Sequence, residues 1–229
     1  MKNIRPILKS QSARRAIMVP LSVLGTACMS HAATNIIVNG SFEDPSITGT
    51  FEAFFPLSTT LTGWNIPGPF VTIVHHAPDA GIANNSTYNF AQSGSNYLDL
   101  SATGAQSMIY QDFATIPSTT YNLSFYIGAS NSVPPAATIR FDLTGSAALL
   151  GESLTPTSPS TNINWTLKSY SFVADSTTTR LSLNGLSGFD DNASFIDSIS
   201  VTAVPEPSGA LLLGLGSSLL FVRRRRMPR

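Results

Sequence analysis

The chain has one cysteine, Cys28, and three histidines among its 229 residues. A lone cysteine forms no intramolecular disulfide and builds no Cys-based zinc site. Charge is scarce as well, at 11% of residues, and basic charge is nearly missing from the middle of the chain. Of the 13 basic residues, five lie in the first fifteen positions and five in the last seven, so only Arg140, Lys168 and Arg180 stand between. All 13 acidic residues fall between Glu43 and Glu206, which gives that stretch a net charge of −10. Nucleic-acid affinity rests on Lys and Arg displacing counterions from phosphates, so a body of this sign excludes nucleic acid as a partner. Anionic lipid suits the body equally badly. The sequence also lacks a G-x-S-x-G nucleophile elbow, of which Gly185-Leu186-Ser187-Gly188 is a partial echo.

What is present falls into three parts. Residues 1–32 read as a secretory signal peptide: basic Lys2 to Arg15, an apolar run from Ala16 to Met29, then Ser30 and Ala32 before a cut at Ala33. As a helix, those 14 apolar residues reach only about 21 Å, short of a hydrocarbon core. Residues 204–229 hold Val204-Pro205-Glu206-Pro207, a mostly apolar run from Ser208 to Val222, and the cluster Arg223, Arg224, Arg225, Arg226. The arginines predict a cytoplasmic end with the body outside, and the run of 15 residues predicts a short C-terminal transmembrane helix. These elements, in this order, resemble the PEP-CTERM protein-sorting segment. The resemblance implies a Gram-negative bacterium, recognition by an exosortase-type membrane transpeptidase and at least transient inner-membrane anchoring. It also implies a cell-surface or extracellular destination and a link to exopolysaccharide and biofilm. An ordinary tail anchor is the alternative.

Residues 33–203 form one predicted domain, all-β and without helical periodicity. Tyr121, Leu123, Phe125 and Ile127 alternate with polar residues at period two, as do Ile139, Phe141 and Leu143, and Leu181 and Leu183. Further strands are expected at Ile36 to Asn39, Phe70 to His75, Tyr97 to Leu100, Met108 to Phe113, Leu167 to Phe172 and Phe195 to Val201. Asn39-Gly40, Pro67-Gly68-Pro69, Pro134-Pro135 and Thr155 to Ser160 supply turns between them. About nine such strands with no βαβ alternation predict an antiparallel two-sheet sandwich. The opening Asn35 to Pro45, Gly63-Trp64, the stretch Gly94 to Gly128 and the closing Phe195 to Pro207 are similar to galactose-binding-like jelly-roll domains of the choice-of-anchor C type. They are similar also to related plant cell-wall domains and to bacterial carbohydrate-binding modules.

By that resemblance Ser41 (through its carbonyl), Glu43 and Asp197 would hold a structural calcium ion, a hard cation suited to oxygen ligands. Asp99 is a weaker candidate. The plain alternative is that Glu43 caps a turn and Asp197 bonds backbone at a strand edge. His75 and His76 point to opposite faces if extended, and with Asp79 they fall short of a catalytic zinc set. Sugar recognition lays C–H faces on aromatic rings while polar groups take the hydroxyls. Trp64 is expected in packing. Tyr97 and Tyr126, each out of phase with the core-facing run of its strand, are expected to form an outward platform if their strands are neighbours. Tyr88 and Asn85 lie in a long polar loop of the sort that carries function. No pair of carboxylates marks a hydrolytic centre, so the expectation is a non-enzymatic, polysaccharide-associated surface protein. A structural or adhesive protein with protein partners is the second reading.

Overall fold

The computed structural model describes residues 34–75, 91–100, 107–129, 138–157, 163–186 and 194–205, all within the unit Ala33–Arg229. No helix occurs among the described residues. Ten strands do: β1 (Phe51–Phe54), β2 (Val71–His75), β3 (Asn96–Asp99), β4 (Met108–Ala114), β5 (Thr120–Ala129), β6 (Ile139–Thr144), β7 (Ala148–Leu154), β8 (Thr166–Val173), β9 (Thr178–Gly185) and β10 (Ser194–Ala203). They form two antiparallel sheets, one of six strands in the order β1-β2-β3-β10-β5-β8 and one of four in the order β4-β9-β6-β7.

Alternation explains the core. Tyr121, Leu123, Phe125 and Ile127 of β5 are all buried, and so are Ile139, Phe141 and Leu143 of β6 and Leu181 and Leu183 of β9. Phe125 and Phe141 meet edge to face across the two sheets, with ring centroids 5.3 Å apart. Each of these side chains contributes about 1.5–3 kcal/mol by leaving water, enough in sum to hold a sandwich that has no disulfide.

Three departures from the expected strand list have local causes. Residues 36–39 are not a strand. The Asn35 side chain takes the N–H groups of both Ile37 and Val201, and Asn39 turns the chain at φ 53°. β1 and β7 were not expected, because both are edge strands with little to bury. Phe51 is exposed, and β7 shows no alternation in burial before Leu154.

The opening turn is locked onto the sandwich. Phe42 sits at φ 58°, fully buried, with its ring 5.5 Å from that of Trp64. Trp64 is buried as expected and donates its indole N–H to the Asn39 carbonyl at 3.1 Å. Beside it, β10 carries an irregularity between Asp197 and Ser200, with Ser198 at φ 54°. A Cβ on Gly40 would lie 2.1 Å from the Ile199 carbonyl oxygen, so only glycine lets the turn lie against that bulge.

Candidate functional site

Two carboxylates grip the loop that leads into β3. Asp197, fully buried, accepts the N–H groups of Gln92 at 2.8 Å and Ser93 at 3.0 Å on one oxygen, and that of Ser198 on the other. Glu43 accepts the N–H groups of Ser95 and Asn96, both at 2.8 Å. Gly94 lies between these anchor points at φ +68°, and a Cβ there would fall 2.3 Å from Glu43 Oε1. Asn96 completes the clasp by donating to the Phe42 carbonyl at 2.8 Å, while its side-chain oxygen meets His75 Nδ1 at 2.8 Å. Burial pushes the Asp197 carboxyl up to about 7, against the pull of its N–H donors and with the nearby Glu43 charge adding to the rise.

The structure therefore brings Glu43 and Asp197 to one loop and gives both a backbone-binding role. Among the described residues no group of three or more His, Cys, Asp or Glu gathers around a common point. Two ion pairs among the described residues, Arg140–Asp142 and Arg180–Asp112, lie on the other sheet.

The outer face of the six-stranded sheet corrects the tyrosine platform. Tyr97 and Tyr126 do project away from the main core, but β10 separates their strands, and Tyr97 is only 2% exposed. It belongs to a second small core with Phe195 and Ile163, flanked by Val74, Ala91 and Trp165. Its ring lies 4.7 Å from Phe195 and 5.8 Å from Trp165. The cause is a chain segment that returns over the sheet. A Cβ on Gly128 would meet Ile163 at 2.3 Å and Trp165 at 3.0 Å. Half-buried Tyr126 is left beside Asp197 on β10 and Leu167 on β8, the latter 52% exposed. Tyr88, Asn85, Glu206, Pro207 and Arg223 to Arg226 lie outside the described residues, whereas Val204 donates its N–H to the Thr120 carbonyl at 2.9 Å.

The outer face of the four-stranded sheet is of another kind. Register places Asp112, Arg180 and Thr144 in one row across β4, β9 and β6. The next row is Tyr110, Ser182, Asp142 and Gly151, and a third is Met108, Asn184, Arg140 and Ser153. Asn65 extends the middle row through a two-bond bridge to Tyr110. Arg180 donates Nε and Nη2 to the two Asp112 oxygens at 2.7 and 2.8 Å, with its guanidinium 3.8 Å above the Tyr110 ring centre. Arg140 makes the same fork to Asp142 at 2.9 and 2.6 Å. The Arg180 hydrogen bonds hold the Asp112 carboxyl below its usual range. This pairing escaped sequence reasoning because Asp112 and Arg180 are 68 positions apart. The Arg-x-Asp spacing at 140–142, which puts both side chains on one face of a strand, was the signal available.

A family model described as "Protein of unknown function (DUF642)" matches residues 35–202, and the chain belongs to that family. No curated protein matches it. Among solved structures, it is similar to TmCBM61 in complex with β-1,4-galactotriose, at 16% identity over 75% of this chain and 100% of that one, with a TM-score of 0.51. A family 16 carbohydrate-binding module matches at 22% identity over 73% of this chain and 99% of that one, with a TM-score of 0.43.

Proposed function

We propose that this member of the DUF642 family is a non-enzymatic, polysaccharide-associated module that works at the cell surface or in the extracellular matrix. The observation that carries the reading is the form of the sandwich. No described helix roofs either sheet, and the same fold extends over the whole of a module solved with a bound galactose oligomer. An open sheet face studded with polar groups and an aromatic ring is suited to a chain of hydroxyls, whereas a small-molecule catalyst needs a cleft that excludes water.

Export and sorting belong to the same proposal. The segment from Val204 to Arg226 is read by an exosortase-type transpeptidase, and Glu206→Ala leaves an uncleaved, membrane-held precursor. Calcium belongs to it as well: Glu43, Asp197 and the Ser41 carbonyl would supply its oxygens, and the ion would close the clasp on the loop into β3 without entering any reaction.

The test is binding of the purified protein to a panel of polysaccharides, read by retardation in affinity gels and by sedimentation with insoluble polymers. Saturable binding to at least one polymer supports the reading. Failure to bind any, together with concentration-dependent self-association, replaces it with an adhesive protein that contacts other proteins.

A further inference from the structure

We propose that the outer face of the four-stranded sheet is the glycan-binding surface, and that it takes a neutral polysaccharide chain laid across the strands. The inference rests on the polysaccharide-associated reading above and specifies its site and its ligand class. The middle row from Asn65 through Tyr110, Ser182 and Asp142 to Gly151 crosses four inter-strand spacings, a track of about 19 Å.

The donors and acceptors along this track are already set. Both arginines use Nε and Nη2 to hold their aspartates, which leaves further N–H donors on each guanidinium directed elsewhere. Asp112 and Asp142 retain acceptor lone pairs beside those donors. A sugar hydroxyl both gives and receives a hydrogen bond, so neighbouring hydroxyls match a guanidinium and carboxylate held side by side. Because each fork is held in place, little side-chain freedom is lost on binding. Tyr110 fixes Arg180 from below. Gly151 does the equivalent for the other pair: a Cβ there would stand 2.4 Å from Asp142 Oδ1 and 2.8 Å from Arg140 Nη2, so the bare backbone lets that pair lie flat.

Charge selects the ligand class. Two of the three basic residues of the body stand on this face and each is matched by an aspartate, so the face is neutral within a body of net −10. A polyuronate would be repelled by the surroundings and would find no unmatched cation on the face. A protein partner fits poorly for another reason. The centres of protein interfaces are apolar and poor in charge, while the exposed large hydrophobics among the described residues lie off these three rows, with Leu186 just past the end of β9.

The test uses the purified full-length protein with β-1,4-galactan, cellulose, xylan and mannan as neutral probes and polygalacturonate as the acidic one. The proposal expects binding to a neutral polymer that persists from low to high salt. The double variant Arg140→Gln/Arg180→Gln then weakens binding by about ten-fold or more. Gly151→Ala, which lifts one pair without changing charge, weakens it in the same direction. Lys168→Gln, which removes the remaining basic charge of the body from the other sheet, leaves it unchanged. Unaltered melting temperatures show that each variant is folded. Binding that survives the arginine and glycine changes and is lost in Tyr126→Ala overturns the choice of face while the broader reading stands. Binding to polygalacturonate that fades with salt overturns the ligand class. Self-association that disappears in the arginine variants makes the face a protein interface, and failure to bind any polymer removes the broader reading itself.

Discussion

The two sheets share one core, yet their outer faces treat polar residues in opposite ways. On the six-stranded sheet the chain folds back over its own strands, so that Tyr97 and Asp197 end up buried and Asp197 is answered by backbone N–H groups. On the four-stranded sheet the described chain does not return, and Asp112 and Asp142 are answered by side chains alone, all four partners being partly exposed. Period-two alternation specifies which side of a strand a residue takes. Whether that side stays open depends on loops, which alternation does not describe.

The sharpest way to break this contrast is to truncate one aromatic on the six-stranded sheet at a time. Tyr97→Ala empties the second core and lowers stability by about 3–5 kcal/mol, while Tyr126→Ala, on an open part of the same face, lowers it by about 1 kcal/mol or less. Equal urea midpoints for the two variants would mean that Tyr97 is not covered. Calcium comes next. If the clasp holds the ion, removing it with EDTA withdraws about 2.7 kcal/mol for calcium initially at a hundred times its dissociation constant, and the melting temperature falls. An unchanged melt leaves Glu43 and Asp197 as anchors of the loop and nothing more.

The two faces also respond to pH with opposite sign. In calcium-free buffer the folded protein keeps the Asp197 proton up to about pH 7, whereas the unfolded chain releases it near 4. The stability from this group is therefore complete below the unfolded value and is lost as pH rises towards 7. Asp112 is held below its ordinary value, so its contribution is present above about pH 4 and is lost as pH falls through the folded value. Asparagine stands in for the neutral carboxyl, so the urea midpoints of Asp197→Asn and Asp112→Asn each match the wild type at the acid end and part from it with opposite sign as pH rises. Asp197→Asn gains on the wild type towards pH 7, and Asp112→Asn falls behind it. Least of all in size, Asp112→Asn at neutral pH lowers stability by about 1 kcal/mol or less, because the Arg180–Asp112 pair is bathed in water. A larger loss would show that water is excluded from that face.

Much of the sandwich was legible in the sequence because a strand with one buried side must alternate. β5, β6 and β9 announce themselves in this way, and Trp64 stands in the core as its resemblance to packing tryptophans implied. Edge strands carry no such signature, which is why β1 and β7 went unread. Residues 36–39 looked extended on composition, but Asn35 and Asn39 offer the backbone local side-chain bonds and left-handed turns that compete with a ladder. Tyr97 was read correctly for phase and wrongly for exposure, since nothing near it in the sequence announces Trp165 or Ile163 overhead. The pairing of Glu43 and Asp197 on one loop was accessible only through family resemblance, and the loop they grip was not. The Arg180–Asp112 fork depends on the register of β4 against β9, which no local pattern encodes.

Both described ends of the body converge on β10. Asn35 and Ile36 bond to it at Ile199 and Val201, and residue 205 leaves just past the same, C-terminal end of the strand. That strand lies inside its sheet with β3 and β5 on either side. Tension applied at residue 205 along the strand is thus shared by hydrogen bonds that must shear together, whereas an outermost strand would peel away rung by rung. A tether attached at this point would load the sandwich through an interior strand and not through an edge.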